Sequence, residues 1–284
     1  MLYMILKKCF FLLLFFTSLI YSQTNYLSPE NRKLFADYLY NQDDYLRAFD
    51  EYRIYLQTFE NDTVKLKIGQ MLIDMKRYSE AEDYLKMLFW GSLFSEEAKL
   101  NYYLIKYKTL LPRDFRSFTG QRLYYPEKYN IYVKKLEQIS YFYQSYGNPD
   151  STIMFETFND DSLAFRKVKE FYYRKYYPEK KSVHWAAGLS AVIPGLGKIY
   201  TKNYSDGVTA FIVNGLCAYL AYSNFNAKHL TRGWIFTGLS ALFYGGNIYG
   251  SIASANIFNA KLSLDLSEEI SNFFSDKNFY IPKF

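Results

Sequence analysis

Cysteine and histidine are almost missing from this chain: Cys9, Cys217, His184 and His229 are all that 284 residues contain. Two cysteines, one in each of two separate apolar segments, leave no disulfide framework and no thiolate metal set. The two histidines stand at the edges of apolar runs without neighbouring carboxylates, which suits interfacial solvation rather than metal binding or general-base work. A G-x-S-x-G nucleophile turn is also lacking. GLGK at 195–198 ends like a phosphate-binding loop, but Val192 stands where the first glycine belongs and Ile199 replaces the Ser or Thr. With no convergent catalytic set, the expectation is a protein that is not an enzyme and has no cofactor.

Charge is missing too, but only locally. In the 79 residues of 182–260 the charged side chains are Lys198, Lys202, Asp206, Lys228 and Arg232, whereas the chain before Ser182 is dense in Lys, Glu, Asp and Tyr. The net charge of +6 is spread out. A nucleic-acid partner would need a basic face with stacking aromatics, so none is expected. The 31 Tyr and 25 Phe recur at helical spacing, which reads as core and interface packing.

What is present falls into five parts. In 1–22, Lys7 and Lys8 precede a 13-residue apolar run at 9–21, the length of a signal-peptide core rather than of a spanning helix. Cleavage after Ser22 would start the mature chain near Gln23. Ile20 is larger than the usual residue at the minus-three position, which keeps an uncleaved anchor as the alternative.

In 23–111 the apolar residues recur at three and four, with no alternating strand pattern, and no proline occurs between 31 and 111. Two units superimpose at an offset of 33: Tyr45, Ala48 and Tyr52 match Tyr78, Ala81 and Leu85, and Ala36 matches Gly69. Small residues are needed where paired helices cross, because a larger Cβ substituent at Ala48 or Ala81 would push the axes beyond about 8–10 Å. The spacing, the small residues and the aromatic near the turn resemble the tetratricopeptide repeat, with a plain helical bundle as the alternative. That resemblance implies a solenoid whose concave face takes protein partners. In 112–181, Pro112, Pro126, the turn at 147–150 and Pro178 separate further amphipathic helices, expected to cap or extend the repeats.

The segment 182–260 reads as a membrane module. Residues 207–227 and 233–255 are 21 and 23 residues without a charge, each long enough to span ~30 Å of hydrocarbon as a helix, and KHLTR joins them into a hairpin. The preceding 182–200 is short and interrupted by Pro194, Gly195 and Gly197. It is expected to be a broken, re-entrant or interfacial segment whose freed backbone groups the hairpin must cover. Gly246, Gly250 and Ser254 form a small-residue seam expected to meet the first span or a second copy. Asn214 and Asn247 are expected to hydrogen-bond between the spans. SAVIPGLGKIYTKNYSDGVTAFIVN with GGNIYGSIASANIFN resembles a bacterial membrane module found in envelope proteins, often joined to tetratricopeptide repeats. It is similar, more distantly, to the two-helix TM2-type domain, whose acidic-aromatic turn KHLTR lacks.

The resulting expectation is all-α: a tetratricopeptide-like solenoid, a transmembrane helical hairpin and a polar, aromatic tail at 261–284. The repeat part would sit on the periplasmic side of a bacterial envelope, with lipid and unidentified proteins as partners. Seven basic residues in 166–181 against Glu170 and Glu179 argue for the cytoplasmic side. The N-terminal segment argues for export and is given precedence, because long domains translocate largely regardless of charge.

Overall fold

A computed structural model describes residues 27–144 and 147–275. The segment 1–22 and the end of the tail lie outside the described residues. Among those residues the chain is all-helical, with thirteen α-helices and no strand. It divides into two compact units, 1–136 and 137–284.

The first unit begins with two helix pairs, α1 (Pro29–Asn41) with α2 (Tyr45–Leu56) and α3 (Asp62–Asp74) with α4 (Tyr78–Lys86). Short polar side chains start these helices by accepting from otherwise orphaned N–H groups: Ser28 from Asn31, Asp44 from Arg47 and Asn61 from Val64. The starts of α1 and α3, and those of α2 and α4, are 33 residues apart, the offset found in the sequence. The turns repeat as well. Asp43 and Lys76 both take the left-handed conformation, at φ 57° and 61°. Asp44 N–H donates to Leu39 O at 3.0 Å, and Arg77 N–H donates to Leu72 O at 2.8 Å. Even the ion pair beside the turn recurs with its charges exchanged: Asp44 with Arg47, then Arg77 with Glu80.

Both pairs bury an apolar stripe, with Ala48, Tyr52, Val64, Ile68, Met71, Ala81 and Leu85 fully enclosed. α3 also touches α2 and α5 (Ser95–Thr109), so the pairs stack consecutively. α6 (Pro112–Gly120) follows with Pro112 at its first turn, where its missing N–H is harmless. α7 (Asn130–Ser140) carries the boundary between the units.

Of the stretch 112–181, expected to cap or extend the repeats, residues 137–181 fall in the second unit. Its helices are α8 (Ser151–Thr157), α9 (Ser162–Tyr176), α10 (Val183–Val192), α11 (Leu196–Tyr200), α12 (Tyr204–Asn226) and α13 (Leu230–Ser275). α13 is unbroken over 46 residues, about 69 Å at ~1.5 Å per residue. The expected tail is therefore helical as far as Ser275. Leu266, Ile270 and Phe274 form its buried stripe at a spacing of four. Phe274 joins Phe142, Phe158 and Phe171 in an aromatic cluster with ring centroids 5.9–6.4 Å apart. Nearby, the Arg174 guanidinium on α9 donates to both oxygens of Glu269 at 2.6 and 3.0 Å. Lys175 ends α9 by donating to the carbonyls of Tyr141, Phe142 and Gln144, and burial pulls its ammonium pKa down.

One helix among the described residues, α12, is long and apolar enough to cross a membrane. The second expected span, 233–255, lies within α13, but no 18-residue stretch of α13 is as apolar as that of α12. The reason is polarity without charge: Thr237, Tyr244, Asn247, Tyr249, Ser251 and five glycines dilute its Leu, Ile and Phe.

Candidate functional site

The repeat-packing residues lie inside the first unit. Ala36, Ala48 and Ala81 have no exposed surface. A Cβ placed on Gly69 would stand 2.7 Å from Leu85 Cδ2, the end of a side chain. Beside this core, Asp37 on α1 accepts from Tyr52 on α2 at 2.5 Å, from Lys67 on α3 at 2.5 Å and from Lys33 at 2.8 Å. Burial pushes the Asp37 carboxyl up, but the bonds from Lys33, Lys67 and Tyr52 outweigh it and hold the group at about 2. This node ties the two helix pairs together.

The second unit holds the denser arrangement, built around the break between α10 and α11. Pro194 cannot donate in a helix, and Ile193 is extended. Gly195 turns the chain at φ 86°, a left-handed value that favours glycine. Three glycines allow backbone to lie directly on backbone. A Cβ on Gly195 would be 1.9 Å from Gly207 O, one on Gly197 1.8 Å from Ala186 O, and one on Gly207 2.6 Å from Ile199 Cγ1. Nothing larger than hydrogen fits at these points.

The break frees backbone groups, and α13 covers them with neutral polar side chains. Asn247 Oδ1 accepts from Gly195 N–H at 2.9 Å, while its amide donates to Ser190 O at 3.2 Å. Ser190 Oγ accepts from Gly197 N–H at 2.9 Å and pairs with Ser251 Oγ at 2.6 Å. Ser251 in turn donates to Asn247 O at 2.9 Å. One turn on, Thr201 donates to Lys198 O at 2.8 Å and pairs with Ser254 at 2.6 Å. The Tyr244 hydroxyl donates to Ala191 O. Asn259 clamps the entry to α10, accepting from Lys181 N–H at 2.8 Å and donating to Lys181 O at 2.9 Å. Each buried backbone group left unpaired would cost about 1–3 kcal/mol in a protein interior, and several in lipid.

Two expectations are corrected by this geometry. Asn214 does not pair with Asn247: its amide donates to Ala210 O at 2.8 Å within its own helix, and its buried Oδ1 has no partner among the described residues. Asn247 is occupied by the break instead. Nor does the seam meet the first span. Gly246 is exposed with nothing near where its Cβ would be, and a Cβ on Gly250 would meet the Lys198 side chain at 3.1 and 3.3 Å. Of the three seam residues, Ser254 alone makes the buried contact, and it does so to Thr201 rather than to α12. The working row is Asn247, Ser251 and Ser254 at spacings of four and three, against α10 and α11. Ser190, Thr201, Gly207, Ser251 and Asn259 escaped the sequence reading. Their signal was polar residues recurring on one face of an otherwise apolar helix.

Among the described residues no group of His, Cys, Asp and Glu could hold a metal ion. No protein-family model, curated protein or solved structure matches the chain.

Proposed function

We propose that the protein is a membrane-anchored helical-repeat scaffold of a bacterial cell envelope, non-catalytic, whose tetratricopeptide-like pairs hold a protein partner. The observation that carries this reading is a helix pair duplicated down to its turn conformation, joined in one chain to a spanning-length helix that turns its apolar residues outward. Only 17% of the most apolar 18-residue window of α12 is buried, with Phe211, Ile212, Leu216 and Tyr222 all more than half exposed. In water such a face would be an aggregation liability; in a bilayer it is ordinary. We take α12 and the first half of α13 to cross together as the hairpin, with the polar row of α13 turned to the break. The break then has its backbone satisfied inside hydrocarbon, as a non-helical segment there requires. Lys7, Lys8 and the apolar run after them support export of the repeat unit. Apolar side chains left outward on that unit, Trp90 at 76% and Leu93 at 95% exposed, supply a contact surface for the partner.

The test is a photo-crosslinking residue at Leu93 in the full chain, with membranes washed at alkaline pH before capture. The expected result is a chain that stays with the membrane and a specific crosslinked protein. A chain released by the wash, or one that crosslinks nothing above a Lys33 control, would defeat the reading.

The unpartnered Oδ1 of Asn214 favours a second reading, a small transport or insertion component with an accessory repeat unit. A chain lacking residues 27–136 that still restores the activity lost on deletion would establish that reading against the first.

A further inference from the structure

A cavity of about 450 Å³ opens between the turn preceding α12 and the flank of α13. The buried, hydrogen-bonded pair Thr201 and Ser254 lines it together with Ile257 and Phe258, and so do the exposed residues Lys202 and Lys261. Neither ammonium has a carboxylate within salt-bridge distance among the described residues. Lys202 approaches only the Phe258 ring, at 5.9 Å. Its backbone is left-handed, at φ 64°, in the same helix-ending turn that Asp43 and Lys76 make in the first unit, with Asn203 N–H donating to Lys198 O at 2.9 Å. Two carboxylates stand nearby. Asp206 is bonded by the Asn203 amide at 2.9 Å, and Asp265 also lines the cavity, one turn beyond Lys261 and farther from Ser254.

The depth of this cavity follows from the helix it precedes. α12 begins at Tyr204, whose ring is 61% exposed, so Lys202 lies at the level where that helix enters the bilayer, the usual place of interfacial tyrosine. We propose that the cavity binds the phosphate headgroup of an anionic phospholipid, between Lys202 and Lys261, with the acyl chains descending past Ile257 and Phe258. This rests on α12 crossing a membrane. Two lysines near a charged surface contribute roughly 1 kcal/mol each, a combined preference of more than tenfold.

The test uses the full chain in nanodiscs of equal phosphatidylglycerol and phosphatidylcholine, with native mass spectrometry of the lipids retained on release. Wild type should retain phosphatidylglycerol in excess. Lys202→Gln with Lys261→Gln should lose about tenfold of that excess, and Lys202→Arg with Lys261→Arg should keep it. Lys228→Gln with Arg232→Gln, at the turn between α12 and α13, should also keep it. An unchanged excess in the Gln pair, or an equal loss in the Lys228 and Arg232 pair, overturns the site. So does displacement of the lipid by soluble glycerol phosphate, which would make a free phosphate ester the ligand. A chain that enters nanodiscs without headgroup preference sinks this inference alone, whereas one that never enters them sinks the membrane reading.

Discussion

The two units solve the same problem, holding helices close, with opposite chemistry. In the repeat unit small residues meet side chains, and the bonds tying helix to helix are charged: Asp37 with Lys67, Glu82 with Lys106. In the second unit glycines meet backbone, and the ties around the break are amides and hydroxyls. On the membrane reading proposed above, the difference follows from the solvent each unit meets. Water screens and hydrates a lysine, so a charged tie at a surface is cheap to hold and contributes little, typically 0–1 kcal/mol. A charge in hydrocarbon is expensive, and helices there gain nothing from burying apolar surface against one another, so close contact and neutral hydrogen bonds carry the packing.

That contrast breaks most visibly at Gly197. Gly197→Ala would drive a methyl to within 1.8 Å of Ala186 O, an atom that cannot move without the helix, so more than about 3 kcal/mol should be lost. The full chain should aggregate far below the wild-type temperature in a detergent melt, and a shift of less than a few degrees would disprove the contact. Next in size is Asn247→Leu, which leaves Gly195 N–H and Ser190 O unpaired together and should destabilise by about 2–4 kcal/mol. Cysteines placed across α10 and α13 should crosslink less well in that variant.

Asp37 tests the charged side of the comparison through pH. Its carboxyl is depressed to about 2 in the folded chain. Its stabilisation is therefore complete above the unfolded value near ~3.9 and is lost as pH falls through about 2. Asp37→Asn should remove about 1 kcal/mol at neutral pH, allowing for solvent screening, and should flatten the acid limb between those values in a pH series of denaturant melts. Gly69→Ala should cost about 1 kcal/mol or less, because Leu85 can shift its tip and alanine is the better helix former. A loss as large as that of Gly197→Ala would erase the distinction between the two units. Smallest of all, Gly246→Ala should change the detergent melt by less than about 0.5 kcal/mol, since the position is exposed and nothing stands within 4 Å of the new Cβ.

Helical periodicity, the 33-residue offset, the proline punctuation and the break at Pro194 were legible in the sequence because each is local. The partners of that break were not. Which face of α13 meets it depends on how the break folds back, and glycine spacing pointed to Gly246 while the contact came from Asn247, Ser251 and Ser254. Counting charges made 233–255 look like a twin of 207–227, whereas its hydroxyls and amides belong to the partner that covers the break. The helix in the tail was not legible for a similar reason. Lys261, Asp265, Glu268 and Glu269 make it polar in composition, and the stripe of Leu266, Ile270 and Phe274 identifies itself only by what it lies against.

A helix of 46 residues with no proline in it is also a shaft. Torsion applied at Asn247 is delivered at Phe274, because nothing between them is free to unwind without breaking backbone hydrogen bonds. The aromatic cluster around Phe274 and the polar row of Asn247, Ser251 and Ser254 are therefore fixed to one rod, and a turn imposed on either is expected to be passed to the other.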